Sequence, residues 1–535
     1  MKYIINKIKT GMALCLTALA FSACNNYLDV APSTETDKDK LFSNESGFAD
    51  ALSGIYVTMA SNDLYGKNLT WCGLDMMGGE GFTIPGFGSG YSYQSFNFNK
   101  NSSSYNESVR NNFSDKIWDT SFNAIANVNS ALESIDGKKG VFTGSDYNVF
   151  KGELLGLRAF LEFDLLRLFA PAFNGEGYTE TGTFIPYVKT LTSNVYPLLT
   201  NKQVCELALQ DLEEAKELLK SDPMYTGADP SSFVCSAVTG NASYREKYGI
   251  KSWHNRRFHF NYWAAVATEA RIYMWMGDKV NALKCAKEVI NAPAGTFTWV
   301  APELVSNISV NSQYVCRDRT FSTEQIFALN ITDMDDRTDG YLIEKTIGFN
   351  SSSSNLQGFD ATAFDAATRP YDYRFQYLRK SYSMYGNDFN LCTKYYKDDD
   401  YNNSYSPWSA NRLPLIRLSE MYYIAAECEA DDNLEQAEKD LETVRQHRGL
   451  QAYPLKITSA DDLKEQIRLE YHKEFVGEGQ TFYYYKRLNE NITNKQAYGT
   501  VTVTPKVYTM QRPDDEDTYG GRVTLNTTTT SSSNN

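Results

Sequence analysis

The chain has 535 residues, 22% of them charged, and a formal net charge of −14. The length leaves room for several domains, and the acidic balance argues against nucleic acid or anionic headgroups, both of which need a basic surface. Aromatic residues make up 14% of the chain, with 37 tyrosines alone, and many lie outside the helical segments.

The first element is a leader. Lys2, Lys7 and Lys9 form a positive n-region, and Met12 to Phe21 an apolar run. The run has the length of a secretory h-region and falls short of the roughly 20 residues that span a bilayer. Ser22 and Ala23 then precede Cys24. This pattern resembles a bacterial lipoprotein signal, with cleavage before Cys24 and acyl chains on its thiol and new amino terminus. Phe21 departs from the usual leucine three residues before the cysteine, and a plain signal peptide with an incidental Cys24 is the alternative. Each buried acyl CH₂ adds about 0.8 kcal/mol, so several chains make a firm tether. Removing residues 1–23 takes away three lysines and no acids, which moves the charge from −14 to −17.

Helical periodicity follows. Over 113–135, Phe113, Ile117, Ile125, Val128, Leu132 and Ile135 recur at helical spacing. Over 147–169, Leu154, Leu157, Leu161, Leu165 and Leu168 form a stripe that Pro171 ends. Thr200 with Gln203 reads as a capping box for a helix over 201–220, closed by Pro223. Residues 260–291 break at Gly277 and residues 416–446 break around Asp431 to Asn433, each giving two short helices. Ala270, Ala282 and Val289 repeat the intervals of Ala425, Ala437 and Val444. Small residues there let antiparallel helices approach closely, and each pair spans close to the 34-residue tetratricopeptide unit. A last helix covers 460–476, with Ser459 as cap and Ile467, Tyr471 and Phe475 facing inward.

Long irregular tracts lie between, over 61–110, 224–258, 292–413 and 477–523. Loops of that length are functional or disordered, and these are too rich in Tyr, Phe and Trp for disorder. The expected fold is mostly α, tetratricopeptide-like helical pairs supporting a loop-rich remainder with little strand. Residues 24–523 are expected to form one domain, with the ligand-binding portion mainly in 61–110 and 292–413. Residues 524–535 are a Ser/Thr-rich tail.

Seven cysteines beyond the leader and Cys24 lie scattered at 72, 205, 235, 285, 316, 392 and 428, which suggests buried free thiols. The four histidines form no H-E-x-x-H, and no G-x-S-x-G or G-x-x-x-x-G-K-[ST] motif occurs. The acidic stretches DMDDRTD (333–339) and KDDDYNNS (397–404) lack the order of an EF-hand loop. They read as solvated loops with at most loosely held Ca²⁺, so no cofactor is expected. Carboxylate pairs for glycoside hydrolysis are many among 66 acids, and nothing selects one.

Five stretches resemble the SusD/RagB family of surface lipoproteins of gut Bacteroidetes. They are CNNYLDVAP with FADALSGIYVTM (24–59), KGELLGLRAFLEFDLLRLFAPAF (151–173), the two helical pairs, the second entered by RLPLIRLSEMYYIAAE and ended by VRQHRGL (412–450), and LKEQIRLEYHKEFVGEGQTFYYYKRLN (463–489). They occur in the family's order from the anchor almost to the C-terminus. Gln480 and Tyr484 stand where the family often has a basic residue and an acid. The resemblance implies a non-enzymatic, lipid-anchored outer-membrane protein that binds oligosaccharide and delivers it to a SusC-like TonB-dependent transporter. The RagB branch implies peptide as the alternative ligand.

A sugar ring offers one C–H face and an edge of hydroxyls, so its site wants an exposed aromatic platform beside polar side chains. Trp118, Trp263 and Trp275 fall in helical patterns and read as core. Two loop clusters remain. One holds Tyr65, Trp71, Tyr91 and Tyr93 with Asp75 and Glu80; the other holds Trp299, Tyr314 and Arg317. The family commonly draws sugar-stacking aromatics from these two regions.

Overall fold

The structure, a computed structural model, describes residues 33–79, 81–83, 110–192, 194–226, 256–306, 318–338, 355–357, 361–384, 387–395, 411–496, 499–504 and 508–519. Its longer helices are α1 (Glu45–Met59), α2 (Asp115–Ile135), α3 (Asp146–Phe169), α4 (Asn201–Leu219), α5 (Tyr262–Met276), α6 (Lys279–Ile290), α7 (Leu418–Glu429), α8 (Leu434–Arg445), α9 (Ala460–Glu474) and α10 (Gln480–Leu488). No helix among the described residues is long and apolar enough to cross a membrane.

The helix ends follow the local chemistry. Thr200 and Gln203 form the capping box of α4. Asn261, Asp278, Asn433 and Ser459 cap α5, α6, α8 and α9 with side-chain acceptors. Gly277 closes α5 with a φ of +77°, a left-handed turn that favours glycine.

Successive helices pack against one another: α2 on α3, α3 on α4, α4 on α5, α5 on α6, α6 on α7 and α7 on α8. The six repeat positions Ala270, Ala282, Val289, Ala425, Ala437 and Val444 are all fully buried, as close helix approach requires. Helix α3 is the exception to amphipathic packing. From Val149 to Phe169 every residue except Lys151 is buried, so its leucine stripe is only part of a helix enclosed on all sides. Its polar groups find partners inside: Arg158 donates to Asp211 at 2.6 and 2.9 Å, and one Glu162 oxygen accepts from the Val188 N–H at 2.7 Å.

Strand is sparse. The buried pair is Gln325–Asn330 antiparallel to Arg412–Arg417, running from Gln325 opposite Arg417 to Asn330 opposite Arg412. A hairpin joins Arg379–Met384 to Asn387–Cys392. Five described cysteines, at 72, 205, 285, 392 and 428, are buried; Cys235 and Cys316 lie outside the described residues.

One expectation needs correction. The tract 477–523 contains α10, whose residues Gln480 to Lys486 are all buried. Three tyrosines in a row carry a weak helix signal, and tertiary burial supplies what propensity does not.

Candidate functional site

The turn after α8 is anchored by buried side chains on both flanks. Gly449 adopts a φ of +93°, and a Cβ there would lie 2.3 Å from the Tyr371 carbonyl oxygen and 2.8 Å from the Tyr373 ring. Glycine thus lets segment 371–373 lie directly against the turn. The preceding Arg448 is fully buried. It donates to both oxygens of Glu324, at 3.0 and 2.6 Å, and to both oxygens of Glu474, at 3.0 and 2.6 Å. Its guanidinium lies 4.1 Å from the Phe321 ring centroid, and Phe321 itself takes a left-handed φ of +51°.

Glu324 also accepts from the Val300 N–H at 3.1 Å, which fixes the backbone beside Trp299. Arg374 ties the other flank down, donating to Asp372, to Glu470 at 2.7 Å and to Glu474 at 3.0 Å. Burial by itself raises the Glu474 carboxyl, but Arg448, Arg417 and Arg374 outweigh it and hold Glu474 well below the carboxylate range. The buried charges therefore stay ionised and make a rigid base.

On that base sit two ring stacks. Trp299 lies nearly parallel to His447, with centroids 4.5 Å apart and planes 12° apart, and Tyr422 lies 5.5 Å from Trp299. Tyr371 stacks on Tyr453 at 4.6 Å and 28°. Trp299, Tyr422 and Tyr453 are half-buried, His447 is exposed, and Tyr371 is 48% exposed. His447 and Tyr453 are six residues apart, which limits the distance between the stacks to about 20 Å. Desolvation of the ring and the Arg448 charge lower the His447 imidazole from its usual value. Exposed Asp365 and Arg369 lie on the turn that carries Tyr371. Flat rings beside polar groups can take the C–H face of a sugar and bond its hydroxyls.

The other expected cluster sits in the core. Trp71 is fully buried, its Nε1–H donating to the Gly66 carbonyl at 2.9 Å. The Tyr65 hydroxyl donates to Asp164 at 2.6 Å. Asp75, also fully buried, accepts from the backbone N–H groups of Gly477 and Gly479, the second at 2.7 Å. Asp75 thereby ties the entrance of α10 to the scaffold, whereas Trp71 and Tyr65 are core residues, and Trp71 offers no solvent-facing ring. Cys24, Glu80, Tyr91, Tyr93, Tyr314 and Arg317 lie outside the described residues.

A family model described as SusD family matches residues 277–527. A second, described as starch-binding associating with outer membrane, matches residues 26–243. The chain belongs to the SusD family. A SusD-like protein of Formosa agariphila is 20% identical over 465 residues, covering 80% of this chain and 79% of that protein. A SusD superfamily protein of Bacteroides thetaiotaomicron has a TM-score of 0.65 at 19% identity, covering 89% of this chain and 98% of that one. A SusD-like carbohydrate-binding protein of Bacteroides vulgatus has a TM-score of 0.63 at 18% identity, covering 91% and 100%. The SusD fold is thus present almost end to end.

Of the SusD-like residues singled out in the sequence, Trp299 is the one the structure sets on an open ring stack. Its ring partners His447 and Tyr422, and the Tyr371–Tyr453 stack, carried no local signal. His447 lies within the VRQHRGL stretch and Tyr453 three residues after it, on the turn shaped by buried Arg448 and left-handed Gly449.

Proposed function

We propose that this SusD-like chain binds oligosaccharide or polysaccharide through the paired ring stacks on the 446–453 turn, without cleaving it. The single observation that carries the reading is the placing of Trp299 on His447 and Tyr371 on Tyr453, part-exposed on a buried ionic base. Trp299 is the main platform, with Tyr371 and Tyr453 as a second one for a neighbouring sugar unit. Cys24 anchors the protein in the outer membrane facing outward, and a SusC-like TonB-dependent transporter receives the ligand. The leader pattern and the family membership support these last two points. The domain reading is one SusD-like body over 24–523, supported by a main hydrophobic core that draws residues from both stretches matched by the family models.

Affinity electrophoresis of the leaderless chain across a polysaccharide panel tests this. Retardation by at least one glycan is expected, with no soluble products after prolonged incubation. Trp299→Ala and Tyr371→Ala should each weaken retardation about tenfold, the scale of one aromatic contact with its burial. Unchanged retardation in both variants refutes the site. Binding of extended peptides with no glycan retarded would favour the RagB-like alternative, and released sugars would make the protein an enzyme.

A further inference from the structure

A separate feature lies in the helical scaffold. A cleft of about 560 Å³ opens where the C-terminal end of α5 meets α9 and α10, with Phe173, Trp275, Lys464, Arg468, Tyr484 and Leu488 in its walls. It leads to a recess of about 40 Å³ that shares Met274, Trp275, Tyr484 and Arg487 with it. Three side chains of that recess each hold a buried polar atom with no partner: Arg271 Nη1, Trp275 Nε1 and the Tyr483 hydroxyl. Their residues are only 5%, 3% and 5% exposed. A buried donor left unpaired costs about 1–3 kcal/mol, and three facing one recess are not explained by packing.

The surrounding charges are already committed. Arg271 donates through Nε and Nη2 to Glu420 at 2.7 and 2.6 Å, and through Nη2 to the Leu415 carbonyl. Arg487 pairs with Glu427 at 2.8 and 2.6 Å. Arg167 pairs with Asp164 and lies 3.6 Å from the Tyr483 ring centroid. Nearby Lys486 donates only to the carbonyls of Leu168 and Tyr508. The recess is therefore rich in donors, with three guanidinium groups and one carboxylate among its lining residues.

We infer that this recess binds the carboxylate of a hexuronic acid unit, whose ring occupies the outer cleft. A planar carboxylate accepts from several donors at once. The recess volume corresponds to roughly three waters, which suits a three-atom group better than a five-atom phosphate or sulfate. The outer cleft falls in the range of ordinary ligand pockets, about 300–1,000 Å³. Trp275 and Tyr484 line both the recess and the cleft and give the passage between them apolar walls. This site is distinct from the ring stacks and goes beyond the reading built on them.

Calorimetric titration of the leaderless chain with glucuronic acid, with glucose as the neutral control, tests the inference. Glucuronic acid should bind at least tenfold tighter than glucose. Tyr483→Phe and Trp275→Phe each remove one unpaired donor and should weaken glucuronic acid binding about tenfold. Tyr483→Phe should also leave the ligand-free protein as stable as before or more so, because a group without a partner has been removed. Trp299→Ala should leave the glucuronic acid titration unchanged, which separates this site from the polysaccharide one. Equal binding of the two sugars, no binding, or full affinity in Tyr483→Phe overturns the assignment, as does a crystal structure in glucuronic acid that shows only water in the recess.

Discussion

Replacing Glu474 with glutamine removes one charge from the base of the ring-stack turn while keeping its shape. Glu474 is fully buried and accepts four N–H bonds from three guanidiniums: two from Arg448, one from Arg374 and one from Arg417. Each of the three charge pairs is worth about 4 kcal/mol by Coulomb's law at an effective dielectric of 20. Recovered solvation of the lost carboxylate offsets much of that sum, but the arginines stay buried and short of charge. Deleting one partner of a buried pair costs about 3–5 kcal/mol, and Glu474→Gln should fall at the upper end. Urea unfolding at neutral pH measures it, with Asp431→Asn as comparator. Asp431 pairs with Lys279 and Lys464 at the surface, so its loss should cost less than about 1 kcal/mol. Polysaccharide retardation should weaken in Glu474→Gln as well, since Arg448 is then held by Glu324 alone. A cost for Glu474→Gln below about 1 kcal/mol, no greater than for Asp431→Asn, refutes the claim that the network sets the turn.

Stability should be greatest near pH 5, at about the value where two opposed groups of acids balance. Glu470 and Glu474, which burial would raise, are held well below the carboxylate range by their arginines; they add stability above the unfolded-state value and lose it as acid protonates them, so the urea midpoint falls below about pH 4.5. Burial pushes Asp318 up to about 6 and Glu269 up to about 7; their contribution is full at low pH and declines as pH rises through those values, so the midpoint also falls between about pH 5 and 7. A midpoint that stays flat across that range contradicts the second half. Gly156→Ala should destabilise by about 1–3 kcal/mol in urea, because a Cβ there would lie 2.1 Å from the Phe260 ring. The two tryptophans should separate cleanly: Trp71→Ala should cost about 3–5 kcal/mol of stability, whereas Trp299→Ala should act mainly on glycan retardation. The same substitutions compared by urea unfolding and affinity electrophoresis would expose a reversal.

The chain's own periodicity determined most of the scaffold. Helices α2 to α9 lie within a few residues of the expected limits, and side-chain caps mark the starts of α4, α5, α6, α8 and α9, because caps and hydrophobic spacing act over one or two turns of chain. The small residues at 270, 282, 425 and 437 likewise announced close helix packing through size alone. Only the tertiary structure decided which aromatics face solvent. Trp71 and Trp299 look alike in sequence, each in an irregular tract, yet one is fully enclosed in the core and the other rests half-buried on His447 from a segment 148 positions away. Helix α10 and the Arg448 network were hidden for the same reason. Burial of a ring or a charge depends on partners brought together by folding, and no local window contains both members of such a pair.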